Sequence, residues 1–228
     1  MLNLEQVNLR LLKTGKLSDL KFIIGKNKKE IKAHKLILGT SSQYWKSQLY
    51  KNEQLGRTNE GIDILIPSIE PKIFKRFLEY YYTRKPKLNE TNIFQVFSAT
   101  YVIKELQFRN FCLNYISNNS KQLLSKAEIF NVLKENVAQD LLEKCVWPNG
   151  LMILLYRRLL ERAKFLSSKN QQETQTQPNN LSQFVKNLVP FIKIFQIPEK
   201  YYPEIDSGRL FSKKFTGLTQ NQVRELQN

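Results

Sequence analysis

Leu17-Ser-Asp-Leu-Lys-Phe-Ile-Ile-Gly-Lys-Asn-Lys-Lys-Glu-Ile-Lys-Ala-His-Lys-Leu-Ile-Leu38 decides the fold. Leu20, Phe22 and Ile24 alternate with Lys21 and Ile23 up to Gly25, which is the period of a half-buried strand. Four residues rich in Lys and Asn, followed by Glu30-Ile31-Lys32, complete a hairpin. From Ala33 the period changes. Ala33, Leu36 and Ile37 fall on one side of a 3.6-residue turn, so the hairpin is expected to run directly into a buried helix. A lone hairpin is marginal in water, and this one needs that helix to cover its apolar face.

On the N-terminal side, Leu4, Val7, Leu11 and Leu12 stand at helical spacing up to Thr14-Gly15, where glycine can supply a left-handed stop. A helix this short must dock onto something to be stable. On the C-terminal side, Ser41 or Ser42 can cap a helix carrying Tyr44, Trp45 and Leu49. Lys51 to Gly61 is a polar loop, and Ile62-Asp63-Ile64-Leu65-Ile66 is a third strand stopped by Pro67. Pro71 opens a helix in which Ile73, Phe74, Phe77, Leu78, Tyr81 and Tyr82 repeat at threes and fours. Asn89 is expected to cap the next helix, with Ile93, Phe94, Val96, Phe97, Tyr101 and Val102 on its apolar face. Another helix carries Leu106, Phe108, Phe111, Cys112 and Tyr115.

In this order, Leu17-x-Asp19-Leu20, Ala33-His34-Lys35, Leu38-x-x-x-Ser42-x-Tyr44-Trp45, Pro71-x-x-Phe74 and Tyr81-Tyr82-Thr83 resemble the BTB/POZ domain. The resemblance implies an α+β fold: a short three-stranded sheet flanked by helices over residues 1–117, followed by an all-α extension. It implies a protein-interaction module, usually a homodimer, with no catalysis of its own and no cofactor. It further implies that the leading helix meets its counterpart in a second subunit through Leu4, Val7, Leu11 and Leu12. Asp19 and Lys35 would form a charged pair at the floor of the groove between subunits.

Residues 118–166 hold three helical patterns, around Leu123 to Leu133, Val137 to Val146 and Leu151 to Phe165, and resemble a BACK-type extension. Ser167 to Asn180, rich in Gln, Asn and Thr, reads as a flexible linker. Residues 181–228 read as a C-terminal helix, with Leu181, Phe184, Val185, Leu188 and Val189 on one face, and an extended tail.

Enzyme chemistry finds little to use. His34 is the only histidine, and with Cys112 and Cys145 scattered through the chain a tightly spaced metal site is excluded. No glycine-rich phosphate loop occurs. Catalytic, metal and cofactor-binding residues are therefore expected to be none. The two cysteines read as small core residues of an intracellular protein, cytoplasmic or nuclear. The first 19 residues also have some character of an amphipathic organelle-targeting peptide. The longest apolar run, Leu151 to Tyr156, is far below the roughly 20 residues of a membrane span.

A net charge of +16 asks for an acidic partner. The expected function is that of a dimerising adaptor or structural subunit, pairing with itself or another BTB protein and holding a further, acidic protein partner. One alternative is a substrate adaptor of a cullin-based ubiquitin ligase, with Tyr50, Glu53 and Leu55 in or beside a possible docking loop. The family's docking pattern there is a hydrophobic residue, any residue, then an acid, and Leu55-Gly56-Arg57 lacks the acid. A second alternative is association with nucleic acid by charge alone, which would be salt-dependent and unspecific.

Overall fold

The computed structural model describes residues 3–50, 62–125, 133–145, 147–148, 151, 153–155, 157–158 and 161. The chain forms two compact units, the first ending at Cys112 and the second beginning at Leu113.

In the first unit β1 (Leu20–Ile24) is the central strand. It pairs antiparallel with β2 (Lys29–Ala33), Leu20 opposite Ala33, and parallel with β3 (Ile62–Ile66), Leu20 opposite Ile62. Leu20, Phe22 and Ile24 are buried, while Lys21 and Ile23 face the other side. The hairpin turns at Gly25, whose φ of 73° favours glycine; a Cβ there would also stand 3.2 Å from the Pro71 ring. Lys21 lies on the open face between Glu30 at 3.4 Å and Asp63 at 3.1 Å, one from each neighbouring strand.

The helices follow the apolar periods. They are α1 (Leu4–Thr14), α2 (Lys35–Ser41), α3 (Gln43–Tyr50), α4 (Pro71–Thr83), α5 (Ile93–Ile103) and α6 (Leu106–Asn118), the last continuing into the second unit. Asn3 and Gln6 close a capping box on α1, and Gly15 ends it at φ 61° with its N–H on the Leu11 carbonyl. Phe22 meets Trp45 edge to face at 5.2 Å and Phe74 at 4.7 Å. Phe77 continues through Phe108 at 4.8 Å, and Phe108 stacks on Tyr80 at 4.3 Å. This run of rings joins the sheet to α3, α4 and α6, and each ring contact adds about 0.5–1.5 kcal/mol beyond the area it buries.

Two local expectations need correcting. Asn89 does not cap α5: its side chain accepts from the N–H groups of Thr91 and Asn92, closing an Asx turn ahead of the helix, whose N-cap residue is Asn92. Ala33 belongs to β2, not to a helix, because it completes the ladder opposite Leu20. Helix α2 therefore starts two residues later than its apolar pattern suggests, burying Leu38 and Gly39 and leaving Leu36 70% exposed.

The second unit holds the end of α6, α7 (Ser120–Leu124) and α8 (Glu135–Lys144). Leu123, Leu124, Leu133, Val137, Ala138, Leu141 and Leu142 are buried. Arg158 donates to the Leu124 and Ser125 carbonyls, both at 3.1 Å, and so ties the third helical pattern to the first. Most of the Leu123 to Leu133 pattern, the linker and residues 181–228 lie outside the described residues. Cys112 and Cys145 are free and buried. Burial raises both thiols, that of Cys145 to about 11, so neither ionises near neutral pH.

Candidate interaction face

Helix α1 carries a mixed edge and an apolar edge. Glu5, Asn8 and Leu12, spaced i, i+3, i+7, look toward α4: the Asn8 amide donates to the Tyr82 carbonyl at 2.9 Å, and Glu5 pairs with Lys85 just beyond α4 at 2.6 Å. Leu4, Val7 and Leu11 have the same spacing on a different side, and Leu4 is 77% exposed. The sequence pattern groups Leu12 with these three; Leu11 and Leu12 are both half-buried, and Leu12 shares the edge of Glu5 and Asn8.

His34 fixes the segment that leaves α1. Its Nε2 is 2.7 Å from the Lys16 carbonyl, which can only accept, so Nε2 carries the proton. Nδ1, at 2.6 Å, accepts from the Tyr82 hydroxyl, which itself takes the His34 backbone N–H at 3.0 Å. Burial pushes the Tyr82 hydroxyl well above the ordinary tyrosine value, so it keeps its proton as a donor. The connection from α1 to β1 is thereby held beside the start of α2. Leu17, in that connection, has φ 61° and is 89% exposed. A leucine in the left-handed region costs about 1–2 kcal/mol, and the chain recovers none of it in its own core.

Asp19 and Lys35 do come together, but not as two charged side chains. The Lys35 backbone N–H donates to Asp19 Oδ1 at 2.8 Å, and among the described residues the two side chains form no ion pair. His34, the N-cap residue of α2, makes no side-chain cap, so the carboxylate of Asp19 takes that role from the adjoining segment. Leu4, Val7, Leu17 and Leu36 are exposed, Leu11 on the same edge as Leu4 and Val7 is half-buried, and Leu17 and Leu36 flank the contact of Asp19 with the Lys35 N–H. Leu17 and Leu36 were missed from the sequence. The signal for Leu36 was the phase of α2, set by where β2 ends.

Of the other candidates, Tyr50 lies over α2, its ring so close that a Cβ on Gly39 would stand 2.5 Å from Cε2. Glu53 and Leu55 lie outside the described residues. A separate groove runs between Tyr44, Gln48 and Leu49 of α3, Leu65 and Pro67 around the end of β3, and Val102 of α5. Leu65 is 61% and Val102 48% exposed.

Beneath these surfaces sits a carboxylate that the sequence did not mark. Glu105, 3% exposed, accepts from the Ser42 hydroxyl and, at 3.3 Å, from the Tyr81 hydroxyl. Ser42 Oγ also accepts from the Trp45 N–H at 3.3 Å, so it is Ser42, not Ser41, that caps α3. Ser41 instead donates to the Tyr81 carbonyl at 2.8 Å.

Residues 9–120 match the family model of the BTB/POZ domain. This stretch is a BTB/POZ domain; BTB domains are interaction modules that self-associate or bind other BTB proteins. Among solved structures the chain is similar to the BTB domain of zebrafish PATZ1, at 21% identity, over 50% of this chain and 88% of that one, with a TM-score of 0.40. No curated protein matches it. Among the described residues, no group of three or more His, Cys, Asp or Glu could hold a metal ion, and no helix is long and apolar enough to cross a membrane.

Proposed function

We propose that the chain is a dimerising adaptor or structural subunit, and that the face formed by Leu4, Val7, Leu11, Leu17 and Leu36 docks a second BTB/POZ domain. The observation that carries this reading is Leu17, a leucine held in an unfavourable conformation and 89% exposed. Burying a leucine or valine contributes about 1.5–3 kcal/mol, and a two-fold contact buries each such side chain twice. Asp19 and Lys35 lie between Leu17 and Leu36, where their capping contact keeps the start of α2 in place for the incoming chain.

The double variant Leu17→Asn, Leu36→Gln tests this. Asparagine tolerates the left-handed region better than leucine, so the melting temperature of the isolated domain should hold or rise. Association, measured by light scattering over a concentration series, should weaken at least about a hundredfold, from two lost apolar contacts per copy. An unchanged association constant would contradict the reading.

The groove beside β3 and α5 supports a second reading, in which a helix of a cullin-type partner docks there on Leu65 and Val102. Leu55-Gly56-Arg57 offers that partner no acid, and we rank this reading second. Retention of the purified chain by an immobilised cullin N-terminal domain, lost on Leu65→Glu, would reverse the ranking.

A further inference from the structure

We infer that the second chain this face fits best is not another copy of itself but a BTB/POZ domain with the same apolar centre and an acidic rim; the inference rests on the docking reading above. Four cations border the face. Arg10 lies next to Val7 along α1, Lys16 adjoins Leu17, Lys35 adjoins Leu36, and the Lys32 side chain lies against Gly15 at the end of α1. Among the described residues none of the four is ion-paired. Of the two neighbouring carboxylates, Glu5 is paired with Lys85, while Asp19 accepts the neutral Lys35 N–H and keeps its charge, so the face carries a basic excess of three. On the open face of the sheet, by contrast, Lys21 lies between Glu30 and Asp63 and its charge is compensated within the chain.

A two-fold contact sets one patch against its own copy, so the patch must be complementary to itself. Leucines satisfy that condition and a rim with a basic excess does not. In a homodimer the two basic rims face each other, and at the roughly 10 Å screening length of 0.1 M salt their repulsion is still felt across a contact. An acidic rim on the partner turns the same charges into attraction, so the charge selects the partner while the leucines supply the affinity.

The test uses this chain as its own probe. Arg10, Lys16 and Lys32 are all exposed, and a variant with Arg10→Glu, Lys16→Glu and Lys32→Glu presents an acidic rim around an unchanged apolar centre. A second variant, Arg10→Glu with Lys16→Glu, keeps Lys32 against Gly15 should the triple change loosen the end of α1. Labelled wild type is mixed with each variant and the dimers are counted by native mass spectrometry and fluorescence transfer. In about 50 mM salt the mixed dimer should form at least about tenfold more readily than the wild-type homodimer, with the preference vanishing near 1 M. The wild-type homodimer alone should tighten as salt is raised. A homodimer that forms as readily as the mixed species at low salt, or that loosens with salt, would overturn the inference and leave the docking reading standing. Failure of every combination to associate at any salt would overturn the docking reading and, with it, this inference.

Discussion

Replacing Phe22 with alanine is expected to lower the unfolding free energy by about 3–5 kcal/mol, measured by urea denaturation of the full chain. Phe22 is fully buried at the middle of the central strand, opposite Ile31 of β2 and Ile64 of β3. Its ring is the point where the sheet touches both α3, through Trp45, and α4, through Phe74. No side chain already in place can fill the gap, since both neighbouring rings are committed to further partners, Trp45 to Tyr44 and Phe74 to Phe77. The loss therefore combines the transfer term with a cavity that stays open. The same truncation at Leu36, which is 70% exposed, should leave the stability of the isolated domain within about 0.5 kcal/mol of wild type. If Phe22→Ala costs no more than Leu36→Ala, the run of rings is not the core.

The second large effect is expected at Ser42. Its hydroxyl both caps α3 and donates to the buried carboxylate of Glu105. A hydrogen bond to a charged group contributes about 1.5–3 kcal/mol and a serine cap about 1, so Ser42→Ala should cost about 2.5–4 kcal/mol. Most of that cost is a carboxylate left under-satisfied away from water, with the Tyr81 hydroxyl its one remaining side-chain donor among the described residues. Glu105→Gln in the Ser42→Ala background should then recover part of the loss, because an amide is cheaper to leave under-satisfied than a carboxylate. A double-mutant cycle reads this directly, and strict additivity of the two changes would show that Ser42 and Glu105 are not coupled.

The three strands and the helices of the first unit were legible because their apolar periods are strong and their ends carry proline, glycine or serine. Gly15 and Pro71 sit at helix ends, where their backbone preferences put them. What the residues could not show was phase and partner choice. Whether Ala33 ends a strand or begins a helix depends on its pairing with Leu20, thirteen residues away, and that pairing alone turns Leu36 outward. The acid-then-base order at Asp19 and Lys35 suggested a charged pair, yet a helix start without its own cap offered the carboxylate a backbone N–H instead. Nothing in the sequence marked Glu105. Its burial comes from three segments meeting, at Ser42, Tyr81 and the start of α6, and no local pattern records such a meeting. Leu17 was read as part of a strand-opening motif, and its left-handed backbone comes from the turn that His34 holds in place through Lys16.

The most direct test of the docking face is hydrogen exchange on the wild-type chain at raised salt, at protein concentrations well below and well above its self-association constant. The account predicts that protection grows with concentration in α1, at Lys16 and Leu17, and in the first turn of α2, while the groove lined by Leu65 and Val102 exchanges at the same rate throughout. Protection that grows along β3 and the end of α5 while residues 4–17 are unaffected would contradict it.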